Sequence, residues 1–162
     1  NLILNLGTDT FLQKLVAAGI KGLVVPDIPV EEASDLIQQA DAAGIEVILL
    51  VTPTTPKQRI KAIAKQSRGF IYLVSVTGVT GMRSQIQTGI KDIITEIRSV
   101  TNKPIAVGFG ISSSEQARQV IEWGADAVIV GSAFVQRLSE GTPYHRLRAA
   151  KDLCSELKTA IS

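Results

Sequence analysis

The chain alternates short, mostly apolar runs with longer segments in which apolar residues recur every three or four positions. In a short run such as Val47-Ile48-Leu49-Leu50-Val51, consecutive residues are apolar. A strand covered on both faces has this pattern, whereas a strand with one wet face alternates apolar and polar residues. Runs of this kind predict strands at 22–26, 46–51, 70–75, 104–109 and 127–130.

The longer segments predict amphipathic helices, because their apolar residues fall on one face of a helix. The apolar stripes lie at 11–15, 36–40, 60–64, 90–97, 117–121 and 147–161. Glycines that can end a helix in a left-handed conformation follow several of them, at Gly19, Gly44, Gly69 and Gly124. Strand and helix repeat about every 24 residues, with a longer spacing before the strand at 104–109. This order predicts βα units with right-handed crossovers.

Two architectures use such units, the open doubly wound sheet and the closed (β/α)₈ barrel. Glycines follow three successive predicted strands, in the loops at 76–81, 108–112 and 131–133. Glycine lets backbone N–H groups approach a phosphate without a Cβ in the way. In barrels the phosphate site is built by the loops after strands 7 and 8 with a short extra helix. The last two predicted strands are therefore assigned as strands 7 and 8 of a barrel.

Other interpretations of these glycines are weaker. Any single one is explained as well by a turn, so the case for phosphate depends on the three loops together. A dinucleotide-binding motif is disfavoured, because Gly108 and Gly110 are followed by Ser113 where its third glycine would stand.

Composition narrows the partners and the compartment. A net charge of +2 without a basic run argues against nucleic acid. The apolar runs are far shorter than the ~20 residues of a membrane span. Cys154 is the only cysteine, which excludes an internal disulfide and a cysteine-based metal site, and we expect a cytoplasmic protein. The only methionine is Met82 and the sequence starts at Asn1, so we expect the natural start to lie elsewhere.

Motifs in order and at matching spacing resemble the tryptophan synthase alpha chain family over almost the whole chain. They lie at 25–32 (VPDIPVEE), 70–81 (FIYLVSVTGVTG), 107–112 (VGFGIS) and 130–133 (VGSA). The resemblance implies one incomplete TIM-barrel domain over 1–162, with strands 4 to 8 and their helices. In this family the reaction is a retro-aldol cleavage of indole-3-glycerol phosphate to indole and glyceraldehyde 3-phosphate, a lyase step of tryptophan biosynthesis.

The same resemblance assigns the phosphate ligands. The backbones of Gly81, Gly110 and Gly131 would hold the phosphate, together with the backbone and hydroxyl of Ser132. It implies no metal.

The rest of the substrate site follows in the same way. Tyr72 and Phe109 would wall the indole and glycerol pocket, and Thr80 would lie in a loop that closes over the substrate and orients an acidic base. The two catalytic carboxylates of the family lie on its second strand and the loop after it. Residues 1–7 resemble the loop after the third strand, so we expect no catalytic residue in this chain and no activity from it alone.

A partner surface is also implied. Asp27, Pro29 and Pro53 would face a tryptophan synthase beta chain in an alpha2-beta2 complex. Pyridoxal phosphate would be carried by that partner, and this chain would need no cofactor. Because five strands cannot close an eight-stranded barrel, self-association through the open sheet edges is a further expectation.

Two alternatives of other kinds stay open. The first is a half barrel that binds a phosphorylated ligand or a partner without catalysis. The second is another phosphate-binding barrel enzyme, which is disfavoured because no lysine stands at a catalytic strand position. Three isolated residues receive structural interpretations: His145 as a surface-loop or helix-start residue, Arg83 as a solvated cation and Trp123 as packing.

Overall fold

Strands and helices alternate along the chain, and the strands of successive units pair in parallel. A computed structural model describes residues 1–75, 83–108 and 110–162, apart from the side chains of 83–88. The strands are β1 (Gly22–Val24), β2 (Glu46–Ile48), β3 (Leu50–Val51), β4 (Ile71–Val74), β5 (Ile105–Gly108) and β6 (Ala127–Ile129). The helices are α1 (Leu2–Leu6), α2 (Thr8–Ala17), α3 (Ser34–Ala42), α4 (Lys57–Gln66), α5 (Arg83–Arg98), α6 (Ser114–Glu122), α7 (Ser132–Ser139) and α8 (Pro143–Ala160).

The order of the strands distinguishes the two candidate architectures. β1 pairs with β2, and β3, β4, β5 and β6 pair in that sequence, all in parallel. A doubly wound sheet reverses its strand order at a switch point, whereas a barrel adds each strand beside the preceding one. The described strands follow the barrel order, and each lies within its predicted range.

The predicted strand 46–51 is divided at Leu49 because a side chain replaces one rung of the backbone ladder. The Leu49 N–H donates to the Ser67 hydroxyl oxygen at 2.9 Å, and that hydroxyl donates to the Phe70 carbonyl at 2.9 Å. The Leu49 carbonyl still accepts from the Tyr72 N–H at 3.2 Å. Ser67 is fully buried, so these bonds satisfy its hydroxyl in the absence of water.

Burial is highest in the middle of the strand series. Every residue of β5 is buried, whereas β6 is half-buried and Val24 at the end of β1 is 38% exposed. Among the described residues, the exposed large apolar side chains belong to elements at the two ends of the series. They are Leu2, Leu4, Leu6, Val16, Ile20 and Val24 at one end, and Val135, Leu138, Tyr144 and Leu147 at the other. Apolar surface therefore flanks both outer strands.

Two helices have no counterpart in the predicted apolar stripes. α1, every residue of which is described, buries none of its side chains, and α7 buries only Ala133. α1 has only five residues and α7 only eight, too few for an apolar stripe that repeats over several turns. No helix in the described part of the chain is long and apolar enough to cross a membrane.

A single carboxylate joins the amino-terminal ends of β5 and β6. Asp126 accepts hydrogen bonds from the Arg98 guanidinium at 2.6 Å and from the Ile105 N–H at 2.7 Å. Arg98 also donates to the carbonyls of Lys103 and Gly124, each at 3.1 Å. The end of α5 is thus tied to the starts of two strands, on the barrel face that serves stability rather than chemistry.

These contacts determine the pKa of Asp126. Burial alone would raise the pKa of the carboxyl, but the hydrogen bonds from Arg98 and Ile105, with the charge of Arg98, outweigh it and lower the pKa below its ordinary value. A lowered pKa in the folded state means that the ionised form stabilises the fold at neutral pH. That contribution is lost as the pH falls through the folded-state pKa.

We therefore expect Asp126→Asn to lower the free energy of unfolding by about 1 kcal/mol at pH 7, a modest value because the carboxylate is partly exposed to solvent. Urea unfolding of both proteins between pH 7 and pH 3 measures the difference, which should narrow below a pH of about 4. Asp152→Asn is the matched control, since its carboxylate lies 3.9 Å from Arg148 on the exposed face of α8. A gap for Asp126→Asn that is constant with pH would contradict the assignment.

The exposed edges give a second prediction, for a polypeptide made of residues 1–162 only. We expect it to associate, because apolar surface flanks the outer edges of β1 and β6, which pair with no further strand among the described residues. Light scattering after size-exclusion chromatography should give a mass that rises with concentration. Val24→Lys should shift it toward the monomer, since lysine on an edge strand opposes pairing. A monomer at every concentration tested would show that the edges do not drive association.

Candidate functional site

Four predicted substrate-binding residues meet at the carboxyl ends of the strands. Tyr72 on β4, Gly110 after β5, and Gly131 and Ser132 after β6 line one cavity of about 250 Å³, together with Ile129. These residues come from three successive βα units, so parallel pairing is what brings them together. The other three predicted residues, Thr80, Gly81 and Phe109, lie outside the described residues.

Gly131 and Ser132 place the start of α7 at this cavity. Gly131 is the N-cap of α7 and Ser132 its first residue, and both are exposed. The Gly131 carbonyl accepts from the N–H groups of Phe134 and Val135 at 2.9 and 3.1 Å. The N–H groups of the first turn lack intrahelical acceptors, and the helix dipole makes this end positive. In α7, which is described throughout, the cap makes no side-chain hydrogen bond and the first turn has no acidic side chain.

The start of α6 differs, because its own side chains satisfy it. The Ser113 hydroxyl accepts from the Gln116 N–H at 3.4 Å, and the Gln116 side-chain oxygen accepts from the Ser112 N–H at 2.9 Å. These bonds use donors that an anion would otherwise bind. Gly110 precedes this cap with φ +78°, a conformation that other residues rarely adopt. The open helix end at the cavity is therefore that of α7.

Gly108 has a role that its position in the glycine-rich segment did not reveal. A Cβ placed on Gly108 would lie 2.6 Å from both Cε2 and the hydroxyl oxygen of Tyr72. The Tyr72 ring therefore lies directly against bare backbone. Burial raises the pKa of the Tyr72 phenol, so the ring carries no negative charge beside the cavity near neutral pH. Because Gly108 has no side chain, the Tyr72 ring can lie where it lines the cavity.

A second cavity of about 330 Å³ lies at the same end of the strands, between the loops that follow β1 and β3. Asp27 and Pro29 line it from one loop, and Thr52 and Thr55 line it from the other. The predicted interface residues Asp27 and Pro29 are thus adjacent to the loop that contains Pro53. Pro53 itself is half-buried and is not one of the lining residues.

Known proteins are similar in sequence to this chain over its whole length. A family model for the tryptophan synthase alpha chain matches residues 1–162. The chain belongs to this family. The alpha chains of a Cyanothece strain and of Trichodesmium erythraeum are 59% and 60% identical to it over 162 residues, which is 100% of this chain and 61% of each relative. The chain therefore spans about three fifths of the length of the curated relatives that it matches.

Solved structures agree in fold with this family assignment. Tryptophan synthase subunit alpha from Campylobacter jejuni is 38% identical, with a TM-score of 0.84 over 94% of this chain and 61% of that one. A chain of the tryptophan synthase α2β2 complex from Pyrococcus furiosus is 34% identical, with a TM-score of 0.87 over 98% of this chain and 64% of that one. Both the resemblance and the partial TIM barrel expected from the sequence are confirmed.

The isolated residues fit their structural interpretations where the structure describes them. The His145 Nδ1 lies 2.7 Å from the Thr142 hydroxyl oxygen at the exposed start of α8. Trp123 is half-buried and packs against the apolar core. The side chain of Arg83 lies outside the described residues. Among the residues that the structure describes, no group of three or more His, Cys, Asp or Glu side chains could hold a metal ion.

The contact between Tyr72 and Gly108 can be tested by a double-mutant cycle. Gly108→Ala should destabilise the protein by about 1 to 3 kcal/mol, because a methyl group must displace the ring in a buried strand. The cost should fall when Tyr72→Val creates the missing space, which gives a coupling energy between the two sites. Urea unfolding of the wild type, both single variants and the double variant supplies the four free energies. Strictly additive effects would show that the ring and the glycine are independent.

Proposed function

We propose that the protein containing this chain is a lyase that cleaves indole-3-glycerol phosphate to indole and glyceraldehyde 3-phosphate. The observation that carries the proposal is the convergence of Gly110, Gly131 and Ser132 with Tyr72 around one cavity. In this assignment the chain contributes the phosphate end and an aromatic wall of the substrate site. Membership of the tryptophan synthase alpha chain family supports the same reaction.

The cavity suits a phosphate for electrostatic reasons. A phosphate dianion is stabilised by backbone N–H groups and by the positive end of a helix. Gly110 and Gly131 let backbone approach the ligand, and the uncapped start of α7 supplies donors with no competing carboxylate in its first turn. The Ser132 hydroxyl adds one donor to the charged ligand. The neutral Tyr72 phenol does not repel the anion.

The chemical step needs groups beyond this subsite. Cleavage requires an acid to protonate the indole carbon and a base to remove the hydroxyl proton, and each such group contributes about 10²- to 10⁴-fold. The resemblance assigns the family's two carboxylates to no position in 1–162, and we therefore propose that a polypeptide of these residues alone does not release indole. Non-catalytic ligand binding is the second candidate function, and it would apply to the whole protein if no such pair is supplied.

A beta-type partner is part of the proposal. The Pyrococcus furiosus relative is described as an α2β2 complex. Asp27, Pro29 and the loop around Pro53 lie on the face that also carries the phosphate cavity. Proline-rich loops lose little conformational freedom on docking, which lowers the cost of association. Indole would pass to the partner, pyridoxal phosphate would be held there, and this chain would act in the cytoplasm without a cofactor of its own.

The phosphate site is tested with Ser132→Ala in the full-length protein. Affinity for glycerol phosphate, measured by calorimetry, should fall by about 1 to 3 kcal/mol, as for a lost hydrogen bond to a charged group. Ser139→Ala is the matched control at the far end of the same helix, where the hydroxyl donates to the Gln136 carbonyl at 2.8 Å. Equal affinities for Ser132→Ala, Ser139→Ala and the wild type would argue against the site.

Gly110→Val and an activity assay complete that test. The valine should abolish binding, because it combines a disfavoured positive φ with a side chain at the cavity wall. Gly141→Val, at φ +91° away from the cavity, controls for strain alone. Indole release by the full-length protein, but not by the polypeptide of residues 1–162, would separate the lyase from the non-catalytic binder.

The partner surface is tested with Asp27→Ala and Pro53→Gly in the full-length protein. Both should weaken retention by an immobilised beta chain, since one removes a rim charge and the other a rigid loop residue. Asp92→Ala, an exposed carboxylate on α5, is the control and should bind as the wild type does. If the immobilised beta chain retained all variants as well as the wild type, these loops would not be part of the interface.

A further inference from the structure

The buried polar side chains of the described residues are two serines at opposite ends of β4. Ser67 lies before the strand at 0% exposure, and Ser75 follows it at 7%. Ser67 completes the hydrogen bonding of Leu49 and so maintains the sheet. Ser75 lies at the carboxyl end, where the cavity is formed, and no step of the proposed reaction uses it.

Ser75 binds one carbonyl twice. Its backbone N–H and its hydroxyl both donate to the Gly108 carbonyl oxygen, each at 2.8 Å. The β4–β5 register ends with Val74 opposite Gly108, and the bonds from Ser75 are the next contact beyond it that the structure describes. A carbonyl held by two donors from one residue has a fixed direction, and it fixes the peptide plane to which it belongs.

Gly108 needs such a restraint because of its neighbour. The Tyr72 ring occupies the space of a Cβ, so any other residue at this position would have to displace the ring. Glycine, however, has the widest choice of backbone conformations, and ordering it costs more entropy than ordering any other residue. Gly110, which lines the cavity, follows two residues later. A small rotation at Gly108 would be carried to the backbone that faces the ligand.

We propose that Ser75 is a positioning residue of the phosphate site: its hydroxyl orients Gly108 and thereby aligns the backbone at Gly110. The proposal rests on the proposed phosphate-binding function. Ser75 does not line the cavity and acts through the β5 end. A serine is suited to this role because its short side chain reaches a carbonyl of the adjacent strand while the residue stays buried.

The test compares Ser75→Ala with Ser67→Ala in the full-length protein. Both variants remove a buried hydroxyl that donates to a backbone carbonyl, but at opposite ends of the same strand. Ser75→Ala should raise the Kd for glycerol phosphate about three- to tenfold, which is about 0.6 to 1.4 kcal/mol. Ser67→Ala should lower the Tm without changing that Kd. Amide hydrogen exchange at Gly110 and Ile111 should accelerate in Ser75→Ala only.

The outcomes distinguish a failure of the positioning role from a failure of the proposed phosphate-binding function. An unchanged Kd in Ser75→Ala, or an equal rise in both variants, overturns the positioning role, since the second result would reflect general loosening of the sheet. Absence of glycerol phosphate binding by the wild type overturns the proposed function instead. Amide exchange, which needs no ligand, then tests only whether Ser75 orders the backbone: acceleration confined to Gly110 and Ile111 supports that step, and wild-type rates refute it.

Discussion

The parallel pairing of β4 with β5 is the constraint on which the rest of the chain depends. Parallel strands end at the same edge, so their loops collect there, and strands covered on both faces must satisfy every backbone group without water. The structure meets that demand with two serine side chains as well as with the backbone ladder. The apolar residues of the strands and the two buried serines near the ends of β4 therefore both follow from the burial of the sheet.

The two ends of the sheet use opposite chemistry. At the amino-terminal end, Asp126 and Arg98 join strands through charged hydrogen bonds that leave the backbone fixed. At the carboxyl end, Gly110 and Gly131 line the cavity with backbone that no side chain covers. A barrel separates stability from ligand contact in this way, because all its strands run in one direction. Substitutions at the two ends should consequently differ in which property they change.

The sequence allowed the strands, most helices and the barrel class to be predicted, since each depends on a periodic apolar pattern. It did not reveal α7, whose eight residues are too few for an apolar stripe that repeats over several turns. The roles of Gly108 and Ser75 were also missed, because both depend on a neighbour from another strand. A serine directly after an apolar strand was the available signal for Ser75.

Of the substrate residues expected from the resemblance, Tyr72, Gly110, Gly131 and Ser132 line the cavity, and their binding roles stay predictions.

The different starts of α6 and α7 have a consequence for folding. α6 carries its own cap in Ser113 and Gln116, whereas the start of α7 has no side-chain acceptor and little buried surface behind it. A phosphate bound there would act as the missing cap, a contribution of about 1 kcal/mol for a side-chain cap and more for a dianion. The stability of α7 and the occupancy of the site would then be linked, because a ligand that binds only the formed helix stabilises it.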